Sequence, residues 1–309
     1  MRKGKKLAAG DTVGLTAPAG PLGEAETAEA VAKLEAMGFR VRTGDTCRGE
    51  YGGYLSAPRG QRAAELNGMF ADEAIAGIFC LRGGYGSAHL LPLLDYQLAA
   101  SQPKLFIGYS DITALHIAYQ QNSGLATIHG PMPGSDLRNA DVWTEQSLLE
   151  AVTSSEPLGK IRNPCGETIE CLYPGEAEGI ITGGNLSVIS GLMGTPYELD
   201  AAGKLLFLED IGEPPYKVDR MLTQLALSGA FEKASGIILG TWTGCNAAPS
   251  ASSFQVLDLF ESIIAPWKKP AVYNVIAGHG GRTLTLPFGV RARLNAARGE
   301  LELLEGAAD

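Results

Sequence analysis

A chain of 309 residues with 45% hydrophobic and 19% charged residues has the composition of a folded α/β protein of one large domain or two, which excludes a disordered chain. Its formal net charge of -9 repels the phosphates of nucleic acids and anionic lipids, so we expect neither nucleic acid nor membrane as a partner. A basic start without a following apolar stretch, and the lack of any run of about 18 apolar residues, predict a cytoplasmic protein.

The cysteines and histidines follow no metal-binding or disulfide spacing. The five cysteines are an odd number without a CxxC pair, so we expect buried or idle thiols rather than disulfides or a zinc site. The four histidines show no HExxH or His-x-His spacing. We therefore predict that the protein holds no metal and uses no cofactor.

The first half of the chain alternates short apolar runs with helical patterns, which is typical of βα units around a parallel sheet. Strands are predicted at 11–17, 39–43, 74–81, 104–109 and 125–129. Helices are predicted at 24–37, 58–70 and 88–94, and a further helix follows residue 110.

The pattern weakens between about residues 135 and 175, where a helix at 142–152 is followed by several prolines and glycines, as in a connector. Beyond it, the predicted strands are 205–208, 236–242 and 271–276, with helices at 214–225 and 254–264. Residues 291–295 and 300–303 alternate at period two, which predicts an antiparallel hairpin. We expect an amino-terminal domain at 1–135, a connector at 136–174 and a carboxyl-terminal domain at 175–309.

Ser110 lies in the turn between the predicted strand 104–109 and the helix that follows it. A serine at that place points its hydroxyl out of the carboxyl edge of the sheet, and the start of the helix offers N–H groups to an oxyanion. The segment therefore suits a nucleophile. A plain helix cap is the competing interpretation, because such caps are common and Ile112 replaces the last glycine of the G-x-S-x-G signature.

A glycine-rich loop at 82–86 follows another predicted strand. It lacks the dinucleotide-binding fingerprint, because His89 stands where the last glycine is required. The loop is interpreted either as an ordinary turn or as a second source of oxyanion N–H groups beside Ser110, with Gly84 as the donor. Arg82 is a candidate for meeting a substrate carboxylate, with a solvated side chain as the alternative.

Acidic side chains and a histidine follow strands of the second half. Glu209 and Asp210 come where a buried strand ends, and a half-desolvated carboxylate there needs a partner such as a histidine N–H. Solvated loop acids are the alternative. His279 has small neighbours and lies at the carboxyl end of a strand, where α/β proteins build their sites.

Two further glycine clusters contain candidate substrate contacts. Asn185 would hydrogen-bond substrate and Trp242 would pack on it if these clusters face the cleft, whereas plain turns are the alternative. Among the other histidines, His116 is predicted to be a core residue and His89 a surface residue. The sequence does not assign His129 to the core, the surface or a site.

These motifs keep a fixed order along nearly the whole chain. They stand at 14–20 (GLTAPAG), 82–87 (RGGYGS), 108–113 (GYSDIT), 129–132 (HGPM), 183–186 (GGNL), 208–210 (LED) and 278–280 (GHG). By these motifs the chain resembles the LD-carboxypeptidase family, the muramoyltetrapeptide carboxypeptidases of serine peptidase family S66. It differs from many relatives at His89, where they carry arginine.

The resemblance implies an α/β fold of two domains. A flavodoxin-like parallel N-terminal domain would bear the serine, and a smaller, swivelling β-barrel-like C-terminal domain would bear the acid and the base. The implied triad is Ser110, Glu209 and His279, with the amides of Asp111 and Gly84 as the oxyanion hole. The nucleophile would then be inert in an isolated first domain.

The implied reaction is hydrolysis of the L,D-amide bond of a muramoyl tetrapeptide, which releases the terminal D-alanine during cell-wall recycling. The substrate partner is thus a muropeptide. For its terminal carboxylate, Arg82 and Arg282 are the candidate cations, because they adjoin the site loops.

Two other functions stay open. One is that of a microcin-immunity-type serine peptidase of the same family, which cleaves a peptidyl-nucleotide and would use an aromatic side chain such as Trp143 to stack on the base. The other is that of a non-catalytic α/β protein that binds a small molecule or peptide. The sequence also leaves open the choice between diaminopimelate and lysine stems, the choice between free and UDP-linked tetrapeptide, and whether the chain forms a homodimer.

Overall fold

The computed structural model describes residues 1–248 and 252–309. The chain forms two compact units. Unit 1 comprises Met1–Glu156, Leu284–Gly289 and Gly306–Asp309, and the smaller unit 2 comprises Pro157–Thr283 and Val290–Glu305. The domain boundaries predicted at residues 135 and 175 stay a prediction, because compactness by itself does not establish a domain that folds alone.

The strands are numbered in chain order. They are β1 Thr12–Thr16, β2 Arg40–Thr43, β3 Gly77–Cys80, β4 Leu105–Gly108, β5 Thr127–His129, β6 Gly159–Lys160, β7 Glu170–Tyr173, β8 Glu176–Asn185, β9 Leu205–Ile211, β10 Gly236–Thr243, β11 Ala271–Tyr273, β12 Leu286–Phe288, β13 Arg291–Asn295 and β14 Glu300–Leu303.

The helices are numbered in the same way. They are α1 Glu24–Ala36, α2 Arg59–Ala71, α3 Tyr96–Ser101, α4 Thr113–Ser123, α5 Val142–Thr153, α6 Leu186–Leu192, α7 Pro215–Leu227, α8 Ala230–Lys233 and α9 Val256–Leu259. Short 3₁₀ segments include Ser87–Leu93 and Ser110–Ile112. Within the two described ranges, no helix combines the length and the apolar character that crossing a bilayer requires.

Unit 1 is built on a six-stranded sheet in the order β2-β1-β3-β4-β5-β12. Strands β1 to β5 are parallel, and β12 pairs antiparallel with β5, with Leu286 opposite His129. The order 2-1-3-4-5 is that of flavodoxin-like folds, in which the connections change direction between β1 and β3. The loops after these two strands therefore border a crevice at the carboxyl edge, and Ser110 follows the neighbouring β4.

The centre of this sheet is apolar on both faces. All four residues of β3 and all four of β4 are buried, as expected for parallel strands covered by helices on both sides. Helix α4 is buried along most of its length. Helix α1 buries a single stripe formed by Thr27, Ala30 and Leu34, which is the pattern of a helix with one face in solvent.

Unit 2 contains a mixed eight-stranded sheet in the order β6-β14-β13-β8-β9-β10-β11-β7. The ten-residue strand β8 joins the two halves of this curled sheet: it pairs antiparallel with β13 up to Ile180 and in parallel with β9 from Ile181 onward. Strands β9, β10 and β11 continue in parallel, so their carboxyl ends meet at one edge. The predicted α/β fold class is confirmed: unit 1 has a mainly parallel sheet, and unit 2 has a curled mixed sheet.

Most predicted elements are confirmed, and the differences have local causes. Residues predicted as helix at 88–94 form a 3₁₀ segment, because Pro92 inside it removes a backbone donor. The pattern misses β8, whose first half is polar and whose second half contains two glycines. It also misses the three-residue strand β12, which is defined by a partner far away in the chain. The predicted hairpin is confirmed as β13 and β14, with Arg293 opposite Glu302.

Candidate active site

Ser110 adopts a backbone conformation that is unusual for its residue type. Its φ is 63°, in the left-handed region; Ser110 lies two residues after the end of β4 and begins the 3₁₀ segment that leads into α4. A non-glycine residue in this region stores about 1–3 kcal/mol of strain, and such strained turns hold the nucleophile in α/β-hydrolases. The sequence placed Ser110 in the turn, but it gave no sign of this conformation. The strained turn is unlike an ordinary helix cap, and the role of Ser110 as nucleophile stays a prediction.

The glycine loop after β3 packs directly against Ser110. A Cβ atom added to Gly83 would lie 2.8 Å from Cβ of Ser110, 3.0 Å from its Oγ and 3.4 Å from the amide nitrogen of Asp111. Only glycine therefore allows this approach. Gly84 has a φ of 120°. The loop and the Asp111 amide, which are the two predicted parts of the oxyanion hole, thus lie beside the same serine.

The Asp111 side chain holds this loop through a hydrogen bond to its backbone. Its Oδ2 accepts a hydrogen bond of 2.8 Å from the backbone N–H of Ser87, and the Ser87 hydroxyl donates to the Asp111 carbonyl. Burial raises the pKa of the Asp111 carboxyl, while the hydrogen bonds from Ser87 and Gly86 and the charge of Arg62 oppose that rise. The Asp111 carboxyl therefore has a structural use that is separate from the predicted use of its amide.

Arg62 is a buried cation that the sequence analysis missed. Its Nη1 donates to the carbonyls of Pro18 at 2.6 Å and Gly86 at 2.9 Å, and its Nε donates to the Ala57 carbonyl at 2.8 Å. Burial lowers the pKa of its guanidinium, and the charge of Asp111 counteracts that effect. A single arginine thus joins the loops that follow β1 and β3. Nothing in the helical pattern of α2 distinguishes it from a solvated arginine.

Unit 2 brings Glu209 and His279 together. Nδ1 of His279 donates to Oε2 of Glu209 at 2.7 Å, and the backbone N–H of His279 donates to the same oxygen at 3.2 Å. Glu209 is fully buried within β9, which continues to Ile211, beyond the predicted end at residue 208. An ionised carboxylate only accepts hydrogen bonds, so the proton of a neutral imidazole stays on Nδ1 and Nε2 carries the lone pair. The pair has the chemistry of a general base with its orienting acid.

The loop that carries His279 is held from several sides within unit 2. Gly278 has a φ of 107°, and a Cβ on it would lie 2.5 Å from Oε2 of Glu209. Thr241 donates its hydroxyl to the Ala277 carbonyl at 3.0 Å, and Thr243 donates to the His279 carbonyl. These contacts explain why small residues surround the histidine in the sequence, because the backbone passes close to the buried carboxylate.

Of the predicted substrate contacts in unit 2, Asn185 has clear structural partners. Its Nδ2 donates to Oδ1 of Asp210 at 3.0 Å, and its Oδ1 caps α6 by accepting the Val188 N–H at 3.2 Å. Trp242 packs edge-on against Phe260, with ring centroids 5.1 Å apart, and lines a cavity of about 340 Å³. Their contact with substrate stays a prediction.

The two predicted carboxylate-binding arginines lie in different units. Arg82 is half-buried in unit 1, where its Nη1 donates to the Pro21 carbonyl at 3.1 Å. It lines a cavity of about 350 Å³ beside the loop after β1, together with Arg48. Arg282 is exposed in unit 2, three residues after His279. Their role in binding the terminal carboxylate stays a prediction.

The remaining histidines and Trp143 lie in unit 1. His116 is buried, as predicted, and its Nε2 donates to the Gly108 carbonyl at 2.8 Å; burial lowers the pKa of its imidazole to about 4. His129 is fully buried. His89 is half-buried with its ring edge-on to Tyr85. Trp143 lies in helix α5.

No metal-binding cluster is found in the described part of the chain. Across residues 1–248 and 252–309, no three His, Cys, Asp or Glu side chains are grouped so that they could hold an ion.

The sequence matches two family models in chain order. The LD-carboxypeptidase N-terminal domain matches residues 13–130, and the LD-carboxypeptidase C-terminal domain matches residues 178–294. The chain is 38% identical over 298 residues to a probable murein peptide carboxypeptidase of Bacillus subtilis, covering 96% of this chain and 92% of the relative. It is 32% identical over 292 residues to the murein tetrapeptide carboxypeptidase of Pseudomonas aeruginosa, covering 93% and 94%.

A microcin self-immunity protein has a closely similar fold. A solved structure of the self-immunity protein MccF in complex with glutamyl sulfamoyl guanosine matches with a TM-score of 0.90, at 25% identity over 99% of each chain. The curated MccF sequence from Escherichia coli is 28% identical over 333 residues, covering 97% of this chain and 94% of that one. The same architecture therefore occurs in proteins named for muropeptides and for a microcin.

Proposed function

Because the chain belongs to the LD-carboxypeptidase family, we propose that it is a serine carboxypeptidase that hydrolyses the L,D-amide bond of murein tetrapeptide and releases the terminal D-alanine. The observation that carries this proposal is the 2.7 Å hydrogen bond from Nδ1 of His279 to buried Glu209. That bond holds the tautomer which a general base needs. The strained conformation of Ser110 is a second support.

In the proposed mechanism, Oγ of Ser110 attacks the carbonyl of the diamino acid while Nε2 of His279 takes its proton. Glu209 holds the imidazole and stabilises the imidazolium that forms. The amides of Asp111 and Gly84 donate to the oxyanion. His279 then gives its proton to the leaving nitrogen, so D-alanine departs and an acyl-enzyme remains on Ser110. A water that His279 deprotonates hydrolyses this ester and restores the serine.

Recognition of the terminal carboxylate requires a cation or a set of N–H donors. We assign this role to Arg82 and Arg282, and we assign Asn185 and Trp242 to the rest of the substrate. Substitution of the arginine that binds the carboxylate raises KM for tetrapeptide far more than it lowers stability. We place the reaction in the cytoplasm, where recycled cell-wall peptides arrive; the free state of all five cysteines supports a reducing compartment.

The proposal is tested by incubating the protein with murein tetrapeptide and detecting free D-alanine by mass spectrometry. General-base catalysis contributes about 10²- to 10⁴-fold, so Ser110→Ala and His279→Ala each reduce turnover at least that much. Ser101→Ala, an exposed serine of α3, is the matched control. Unchanged turnover by a folded Ser110→Ala protein would exclude the mechanism.

The MccF match favours a second candidate function, cleavage of a peptidyl-nucleotide. The same assay distinguishes the two when an aminoacyl sulfamoyl nucleoside is offered beside tetrapeptide. A kcat/KM that is higher for the nucleoside conjugate than for tetrapeptide assigns the chain to the microcin-immunity type. Trapping an acyl group on Ser110 from either substrate excludes a non-catalytic binding protein.

A further inference from the structure

The loop that follows β1 touches the glycine loop that follows β3. The N–H of Gly20 donates to the Gly83 carbonyl at 3.2 Å. A Cβ atom on Gly84 would lie 3.4 Å from both Cα and N of Gly20, which is ordinary van der Waals contact. The two loops therefore pack backbone to backbone, and the same Gly83 also packs against Ser110.

The Gly20 donor is held in place by the residues that precede it. Gly20 itself is buried. The carbonyl of Pro18 accepts a hydrogen bond from Arg62 at 2.6 Å, and the carbonyl of Ala19 accepts one from the Ser56 N–H at 3.0 Å. Both carbonyl groups before the donor are thus fixed by residues of another segment. A group that is fixed before substrate arrives needs no reorganisation during the reaction.

The peptide group between Gly83 and Gly84 joins a buried residue to an exposed one. It is trans, so its carbonyl and its N–H point in opposite directions. Because the Gly83 carbonyl points to Gly20, the Gly84 N–H points away from Gly20. With glycine on both sides, this peptide group can rotate at little steric cost, and the hydrogen bond from Gly20 selects one of its orientations.

We propose that Gly20 is a positioning residue of the oxyanion hole: its N–H holds the Gly83 carbonyl and thereby directs the Gly84 N–H to the oxyanion that forms on substrate bound at Ser110. This inference rests on the proposed function, in which Gly84 is one of the two oxyanion donors. A reversed peptide group would present the Gly83 carbonyl oxygen instead, which repels an oxyanion. Gly20 thus acts on the reaction through Gly84 rather than by touching the substrate.

The test compares Gly20→Pro with Gly20→Ala. Both variants add a Cβ, which would lie 3.1 Å from the Gly83 carbonyl oxygen, but only proline lacks the N–H. Loss of one whole oxyanion donor costs about 10²- to 10³-fold in kcat. We expect kcat for D-alanine release to be at least about 10-fold lower in Gly20→Pro than in Gly20→Ala, with KM within about twofold, because the donor loses its orientation and not its binding partner. Equal kcat values for the two folded variants would overturn the proposal.

A second variant reaches the same peptide group from its other side and does not require proline. Gly84 has a φ of 120°, which alanine adopts only with strain, whereas its added Cβ would meet Gly20 at an ordinary 3.4 Å. Gly84→Ala therefore turns the peptide group by conformation rather than by collision, and we expect kcat to fall about 100-fold with KM unchanged. Gly60→Ala, at a glycine of α2 whose added Cβ meets no atom within 4 Å, is the control and keeps wild-type kcat. Wild-type kcat in Gly84→Ala would overturn the proposal even if Gly20→Pro does not fold.

A simple ester separates this inference from the proposed substrate. p-Nitrophenyl acetate acylates an activated serine through an oxyanion without any recognition of a muropeptide. We expect the ratio of kcat between Gly20→Pro and Gly20→Ala to be similar for the ester and for tetrapeptide. Ester hydrolysis that depends on Ser110 and falls in Gly20→Pro, without D-alanine release from tetrapeptide, would defeat the proposed function and support the role of Gly20. Normal D-alanine release by Gly20→Pro and Gly84→Ala would defeat the role of Gly20 alone.

Discussion

Nδ1 of His279 lies 2.7 Å from Oε2 of Glu209, and that carboxylate is fully buried in unit 2. In the described part of the chain, the other oxygen of Glu209 is buried without a hydrogen-bond partner. Among residues 1–248 and 252–309, its hydrogen bonds go to His279, from the ring and from the backbone N–H. A buried carboxyl group that accepts two bonds from one residue fixes the orientation of that residue's ring.

Replacing Glu209 with glutamine tests the charge of this acceptor. The carbonyl oxygen of Glu209→Gln still accepts from Nδ1 and from the backbone N–H of His279, but the variant lacks the negative charge that stabilises the imidazolium, so His279 is a weaker base toward Ser110. We expect kcat for D-alanine release to fall about 10²- to 10⁴-fold with little change in KM. Glu232→Gln, at an exposed glutamate of α8, is the control. A Glu209→Gln enzyme that keeps wild-type kcat would show that the pair is structural only.

Alanine at Gly83 tests the close approach of the glycine loop to Ser110, the proposed nucleophile. The new Cβ would lie 2.8 Å from Cβ of Ser110, so the loop or the serine must move. Gly83 does not have a positive φ, and the effect is therefore steric rather than conformational. Because a shift of about 1 Å in a catalytic group can cost 100-fold, we expect a loss of about that size in kcat.

A glycine in open space supplies the control for that variant. Gly68 lies inside helix α2, and an added Cβ meets no atom within 4 Å. Gly68→Ala is expected to leave kcat unchanged and to raise the free energy of unfolding by about 0.5–1 kcal/mol. If Gly83→Ala behaves like Gly68→Ala in both measurements, the loop does not shape the site around Ser110.

Sequence patterns predicted the parts of this molecule that depend on local periodicity. Apolar runs predicted the parallel strands and the turn after β4 that contains Ser110. Helical spacing predicted the buried face of α4 on which His116 lies. The pairing of Glu209 with His279 spans 70 residues, and only the resemblance to a family implied it. The burial of Arg62 has no local signal, because its partners are carbonyl groups that any residue provides.

Arg62 offers a test of how the glycine loop is held. Arg62→Lys keeps a positive charge near Asp111 but cannot bind the Pro18, Gly86 and Ala57 carbonyls together. We expect kcat to fall about 10- to 100-fold while KM stays within about twofold, because the oxyanion donors lose their placement. Arg62→Met additionally removes all three of these hydrogen bonds and is expected to cost about 3 kcal/mol of stability, at about 1 kcal/mol for each bond.

The control for Arg62 lies one helical turn away in the same helix. Arg59 is exposed at the start of α2, and Arg59→Lys is expected to change neither kcat nor the urea midpoint. A folded Arg62→Lys enzyme with wild-type kcat would mean that the arginine serves stability and not the position of the loop.

Because His116 is buried, we expect the free energy of unfolding to depend on pH. Burial holds the pKa of its imidazole at about 4 in the folded protein, against 6.5 for an unperturbed histidine. The unfolded chain therefore binds this proton first as the pH falls. The stabilising contribution is complete above pH 6.5 and is lost progressively as the pH falls toward 4.

A non-titrating substitute isolates that contribution. His116→Gln can still donate to the Gly108 carbonyl, as Nε2 of the histidine does. Lowering the imidazole pKa from 6.5 to about 4 corresponds to about 3 kcal/mol. We therefore expect the free energy of unfolding, measured in urea between pH 7 and pH 4, to fall by about 3 kcal/mol less in His116→Gln than in wild type. The nearby His129, whose ring centroid lies 6.5 Å from that of His116, is present in both proteins and cancels in the comparison. Parallel pH profiles for the two proteins would show that His116 is not buried in its neutral form.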